Sequence, residues 1–182
     1  MLISMSYVVA TAVVLIAALT DLRAARVPNA LTYSAIVIGL LIGAWPNVQP
    51  TMSSSLTGCA LAAVPGVVFF AGGGMGGGDV KLLVALGAML GFPVILDVLF
   101  YSVVCGTGLA LAIIVWNGRS LEMAKGIVWL VRALLYPGVK GEMPVNDVRF
   151  PFAVAVLLGT LWALYVPALR VSPELTALFG GS

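Results

Sequence analysis

Two aspartates set in apolar sequence carry most of the chemistry this chain can offer: Asp21 in TDLRAARVPNALT and Asp79 in MGGGDVKLL. Each lies at the edge of a run apolar enough to enter a membrane. Ionisable residues at membrane depth are costly, and by default they mark function. Two carboxylates brought close cannot both ionise easily, so the pair shares a proton near neutral pH. One ionised and one protonated carboxyl is what aspartic proteolysis requires. The ionised one draws a proton from water, and the protonated one donates to the scissile carbonyl oxygen. The glycines before Asp79 are expected to break the helix, leave helical geometry and let a substrate strand approach. Irregular backbone at such depth is tolerated only where it is buried in protein or lines a wet cavity. A blander reading stands beside this one: Asp21 pairs with Arg23 or Arg26 at the interface, and Asp79 caps a helix.

The elements that must position these acids are membrane helices. The chain has 182 residues, of which 62% are apolar and 9% charged, and its mean hydropathy is +1.15. A soluble domain carries roughly 25% charged residues, so this is an all-α integral membrane protein, a single domain over 1–182. A bilayer core of about 30 Å takes about 20 apolar residues per helix. Six spans are predicted, at roughly 2–20, 31–45, 56–72, 80–91, 94–116 and 151–169. The run from Val80 to Trp116 is too long for one span; Gly91, Phe92 and Pro93 make its best turn, with a turn nearer Asp97 as the alternative. The first helix has no basic lead-in and no small-residue cleavage site, so it reads as retained rather than as a signal peptide.

Orientation follows from the basic residues. With the N-terminus outside, Arg23, Arg26, Lys81, Arg119, Lys125, Arg132, Lys140 and Arg149 are cytoplasmic, against Arg170 alone outside. Asp21 and Asp79 then share the cytoplasmic depth, on different helices. The loop over 117–149 carries Glu122, Lys125, Trp129, Arg132 and Tyr136 at spacings of three and four, which suits a helix lying in the interface. Asp97 falls toward the outer side and reads as structural.

Several classes drop out. The net charge of +2 is too small to suggest a nucleic-acid partner, and the absence of His removes His-based catalysis and metal sites. Cys59 and Cys105 are single residues in apolar runs, so neither zinc nor a disulfide framework is expected. No metal or cofactor is required, because two aspartates activate water by themselves. Two rivals remain. An ion or proton transporter using Asp21, Asp79 and Asp97 would want acids spread across the membrane, and two of the three cluster on one side. A noncatalytic scaffold of a secretion machine would use the glycines only to pack helices.

DLRAARVPN, from Asp21 to Asn29, and GGGDVK, from Gly76 to Lys81, together resemble the type IV prepilin peptidase family of GxGD-type intramembrane aspartyl proteases. That pattern is an Asp, then Ile-Pro-Asn, then Gly-x-Gly-Asp-x-Lys. Val27 stands for Ile, a conservative departure. The Pro-containing RFPFAVAVLLG, Arg149 to Gly159, resembles the start of the family's C-terminal helix more loosely. The resemblance implies that Asp21 and Asp79 are the catalytic pair, with neither assigned as base. Pro28 and Asn29 match the helix-start turn, where Pro suits the first turn and Asn29 can bond local backbone. Gly76 and Gly78 match the motif glycines. Lys81 either stabilises the ionised pair or marks the cytoplasmic side. The chain starts directly with a span and lacks paired zinc cysteines, so it resembles the short, peptidase-only branch serving Flp-type tight-adherence pili, without methyltransferase activity. The implied substrate is a prepilin or pseudopilin with a short basic leader and a hydrophobic helix. The implied setting is the bacterial inner membrane, with membrane lipid around the bundle and cleavage at the cytoplasmic face.

Overall fold

The fold is known from a computed structural model that describes residues 5–24, 27–46, 48–71, 75–116 and 152–166. Among these residues there are six helices and no strand: α1 (Met5–Ala24), α2 (Asn29–Ala44), α3 (Met52–Ala71), α4 (Gly77–Leu90), α5 (Val94–Trp116) and α6 (Phe152–Tyr165). α1, α3 and the first 20 residues of α5 are each long and apolar enough to cross a membrane, while α2 and α6 are shorter apolar helices. The chain is an all-α membrane protein. It divides into two compact units, residues 1–106 with 151–182, and residues 107–150. The helices packed around α4 belong to the first. The second is described only over 107–116, where α5 continues, and the predicted interfacial helix in 117–149 lies outside the described residues.

α4 is the centre of the first unit and packs on α1, α2 and α3, while α1 also packs on α6. It buries Leu82, Leu83 and everything from Ala85 to Leu90. Its neighbours meet it with small residues. α2 buries Thr32, Ala35, Gly39 and Gly43, and α3 buries Ser55, Gly58, Ala62 and Gly66. A Cβ on Gly39 would stand 2.8 Å from the Ala88 backbone, and one on Gly58 would strike the Gly87 carbonyl. Between apolar helices in lipid no hydrophobic force remains, so close backbone approach supplies the dispersion that holds them together. The faces turned away are large and apolar. Val64, Val67, Val68, Phe69 and Phe70 on α3 are exposed, a surface suited to acyl chains.

The predicted turn is where the chain turns. α4 stops at Leu90, Gly91 adopts φ +67°, and its amide caps the Gly87 carbonyl. A left-handed residue after a helix is the usual place for glycine. Ser54 at the start of α3 ties this corner down. Its hydroxyl donates to the Phe92 carbonyl at 2.8 Å and its own carbonyl accepts the Phe92 amide at 3.1 Å. At the same end of the bundle the Ser6 hydroxyl donates to the Gln49 carbonyl at 3.2 Å. Asp97, in the first turn of α5, is buried at this end, away from the other two acids.

The glycine stretch does interrupt the helices, with Gly76 extended between α3 and α4, but the predicted start of α4 needs correcting. α4 begins at Gly77 rather than at 80, so Gly77, Gly78 and Asp79 are its first turn. The first amides of a helix lack intrahelical partners in any case, and an acid near a helix start is favoured by the dipole. α2 likewise starts at Asn29, ahead of the predicted 31, with Pro28 as its extended N-cap.

Candidate active site

One end of the first unit collects both motifs. Asp21 sits in the last turn of α1 and Asp79 in the first turn of α4, and both are half-buried. Both therefore face the same end of the unit from different helices. The starts of α2 and α6 complete this end.

Each aspartate is oriented by backbone. A carboxylate near a helix C-terminus opposes the dipole of its own helix, so Asp21 is not a cap of α1. Its Oδ2 accepts the Ala153 amide of α6 at 3.2 Å. Helix N-termini present unsatisfied amides that suit an anion, and here the second motif-like helix start supplies one. Of the two ion-pair partners anticipated for Asp21, Arg26 lies outside the described residues. Asp79 is the third residue of α4, after the N-cap Gly76. Its amide donates to the Gly76 carbonyl at 3.1 Å, and its carboxylate lies near the Gly76 amide. This is the arrangement by which an acid at the third helical position serves the N-cap amide. The capping reading of Asp79 is thus met, and it fixes the carboxyl at the mouth of α4. A Cβ on Gly76 would stand 3.2 Å from Asp79 Oδ2, which explains the bare backbone there.

The remaining motif residues fall into the same place with altered roles. Pro28 precedes the helix, and its carbonyl accepts the Thr32 amide at 3.3 Å. Asn29, expected to bond local backbone, instead receives the Lys81 ammonium on Oδ1 at 2.8 Å. Lys81 also stands 4.9 Å from the centre of the Tyr33 ring. Gly78 faces Val27, and a Cβ on it would lie 3.3 Å from the Val27 Cβ. Sequence reasoning missed three participants: the Ala153 amide, Tyr33, and the seat of Val27 on Gly78. The Pro-containing stretch RFPFAVAVLLG, which runs into α6, was a trace of the first. The other two had no signal of their own.

Cys59 donates to the Val84 carbonyl at 3.6 Å, between α3 and α4, and Cys105 is also a free thiol. Among the described residues no group of three or more His, Cys, Asp or Glu side chains converges. Replacing both cysteines with Ala is expected to leave activity within about twofold of wild type, since surface and boundary thiols rarely contribute more. Chelators are expected not to inhibit. Strong inhibition by a chelator, reversed by zinc, would overturn this.

Comparison with known proteins agrees with the residues. The model of the type IV leader peptidase family matches residues 8–111, more than half of the chain and a stretch containing both aspartates. The chain belongs to the type IV leader peptidase family. It is similar to prepilin peptidase EppA of Methanocaldococcus jannaschii, 30% identical over 95 residues, which cover 50% of this chain and 25% of that protein. The chain thus matches about a quarter of the length of this curated relative. No solved structure matches it.

Proposed function

We propose that this chain is an intramembrane aspartic endopeptidase that removes the short basic leader of prepilins or pseudopilins, with Asp21 and Asp79 as its catalytic pair. The observation that carries the reading is the placement of both aspartates at one end of the bundle, Asp21 in the last turn of α1 on the Ala153 amide and Asp79 in the first turn of α4. Family membership and the prepilin peptidase relative support the reaction class.

The mechanism follows from the pair. One carboxylate takes a proton from a water molecule while that oxygen attacks the scissile carbonyl carbon. The other carboxyl gives its proton to the carbonyl oxygen. The tetrahedral diol then collapses, and the leaving amine takes a proton from the pair. The two carboxyls act as one catalytic unit. Proton transfer by positioned groups of this kind contributes about 10²–10⁴-fold. The Ala153 amide and the Gly76 backbone hold the carboxyls in place, so little reorganisation is needed at the moment of reaction.

The charge distribution supports a cytoplasmic location for this end, in the inner membrane, with the N-terminus outside. A substrate anchored by its own hydrophobic helix then arrives by lateral diffusion, its basic leader still in the cytoplasm. The resemblance to the peptidase-only branch favours a small Flp-type pilin as substrate. Co-expression with candidate small pilins tests the function: leader loss, scored by mass, is expected for one class and absent without the chain. Unaltered pilin mass across all candidates would sink the reading and favour a scaffold.

Topology has its own test. Single cysteines introduced into a Cys59- and Cys105-free chain are expected to be labelled from outside in the 46–55 loop and only after permeabilisation in 117–149. External labelling of 117–149 in intact cells would reverse the orientation.

A further inference from the structure

We propose that Lys81 is a positioning residue that latches the start of α2 onto the first turns of α4, and so fixes the distance between Asp21 and Asp79. The proposal rests on the dyad reading above and deepens it. Its ammonium donates to Asn29 Oδ1 at 2.8 Å and stands over the Tyr33 ring at 4.9 Å. Both partners lie on α2, Asn29 at its first residue and Tyr33 one turn later. The same two segments touch a second time where Val27 seats on Gly78. Asn29 is eight residues after Asp21 and Lys81 is two after Asp79, so this bond ties the two aspartate-bearing segments together.

The geometry explains why the tie would be felt at the acids. Only four residues, 25–28, separate the end of α1 from the start of α2. A shift of the start of α2 away from α4 is therefore passed to the turn of α1 that carries Asp21. Residues two apart on a helix do not share a face, so Lys81 points away from Asp79. Among the described residues its partners are a neutral amide and a ring face. It is satisfied without drawing on a carboxylate, and it leaves the shared proton to the pair. Charge-assisted hydrogen bonds are worth roughly twice neutral ones, and a cation over an aromatic face adds to them. An ordinary topogenic lysine needs neither contact.

The test uses the purified full chain in lipid vesicles with a leader-bearing prepilin, and compares Lys81→Met, Asn29→Leu, the double variant and Lys81→Arg. Each single loss is expected to lower kcat about ten- to a hundredfold with KM nearly unchanged, because small misplacements of reacting groups cost about that much. The double variant is expected to be no worse than the weaker single, since both remove one contact. Lys81→Arg is expected to recover part of the rate. A second readout needs no activity. In a Cys59- and Cys105-free chain, a thiol at Val27→Cys is expected to react several-fold faster with maleimide when Lys81→Met is added. Wild-type kcat in Lys81→Met, losses that multiply in the double variant, a change confined to KM, or an unchanged labelling rate would each overturn the latch. Asp21→Asn and Asp79→Asn, run alongside, separate the two ideas. If they cleave normally, the dyad reading fails by itself. If they are dead while Lys81→Met is normal, only the latch fails.

Discussion

Asp21→Asn and Asp79→Asn are each expected to lower leader removal by about 10²–10⁴-fold, with both proteins present in the membrane at normal abundance. Asparagine is close to aspartate in size, and it keeps an oxygen for the Ala153 amide at position 21 and for the Gly76 backbone at position 79. What it removes is the ability to ionise and to share a proton. The double variant is expected to be no worse than the weaker single, because groups that act as one unit are not additive. Asp97→Asn is the comparison. Asp97 is buried at the opposite end of the bundle, so its effect should fall on abundance rather than on cleavage per molecule. Cleavage and membrane abundance measured together on all four variants decide the matter. A transporter using the three acids as a relay would lose function at Asp97 as well.

Gly78→Val is expected to reduce cleavage per molecule at least tenfold while insertion proceeds. The reason is contact rather than conformational freedom, since Gly78 is helical. A Cβ there would stand 3.3 Å from both the Cβ and the carbonyl oxygen of Val27, tighter than ordinary van der Waals contact. Two further methyls cannot fit without moving the lead-in to α2. Overpacking of this kind costs about 1–3 kcal/mol, and the displacement falls on the segment joining Asp21 to Asn29. Gly78→Ala should lie between wild type and valine. Activity and abundance of both variants check this. Normal cleavage by Gly78→Val would reduce the motif glycine to a packing detail.

How much of this was legible in the sequence differs from feature to feature. The helices were, because lipid demands long apolar runs and the chain has few charges to confuse them. The turn at Gly91–Pro93 was the better of two readable positions, since a glycine followed closely by a proline punctuates a helix more strongly than the sequence near Asp97. That Asp21 and Asp79 share an end followed from counting spans between them. The start of α4 was misjudged, because glycine propensity was weighed over a whole helix when the first turn obeys different constraints. The donor to Asp21 had no side-chain signature. It is a backbone amide 132 residues away, and only the helix start that carries it hinted at its presence. The partners of Lys81 were hidden for a related reason. Asn29 is 52 residues from it, and its motif position suggested local capping. Close packing through Gly39, Gly58 and Gly66 emerged only from the assembled bundle, because which helix a small residue faces is not written in its own segment.

The most direct test of the central claim is cleavage by the purified chain in lipid vesicles, with a chelator present, of a prepilin whose leader loss is read by mass. The dyad account predicts a single new product lacking the leader, formed by the wild-type chain and not by the Asp21→Asn, Asp79→Asn double variant. Equal cleavage by that double variant, or no product from the wild-type chain with any leader-bearing prepilin, would contradict it.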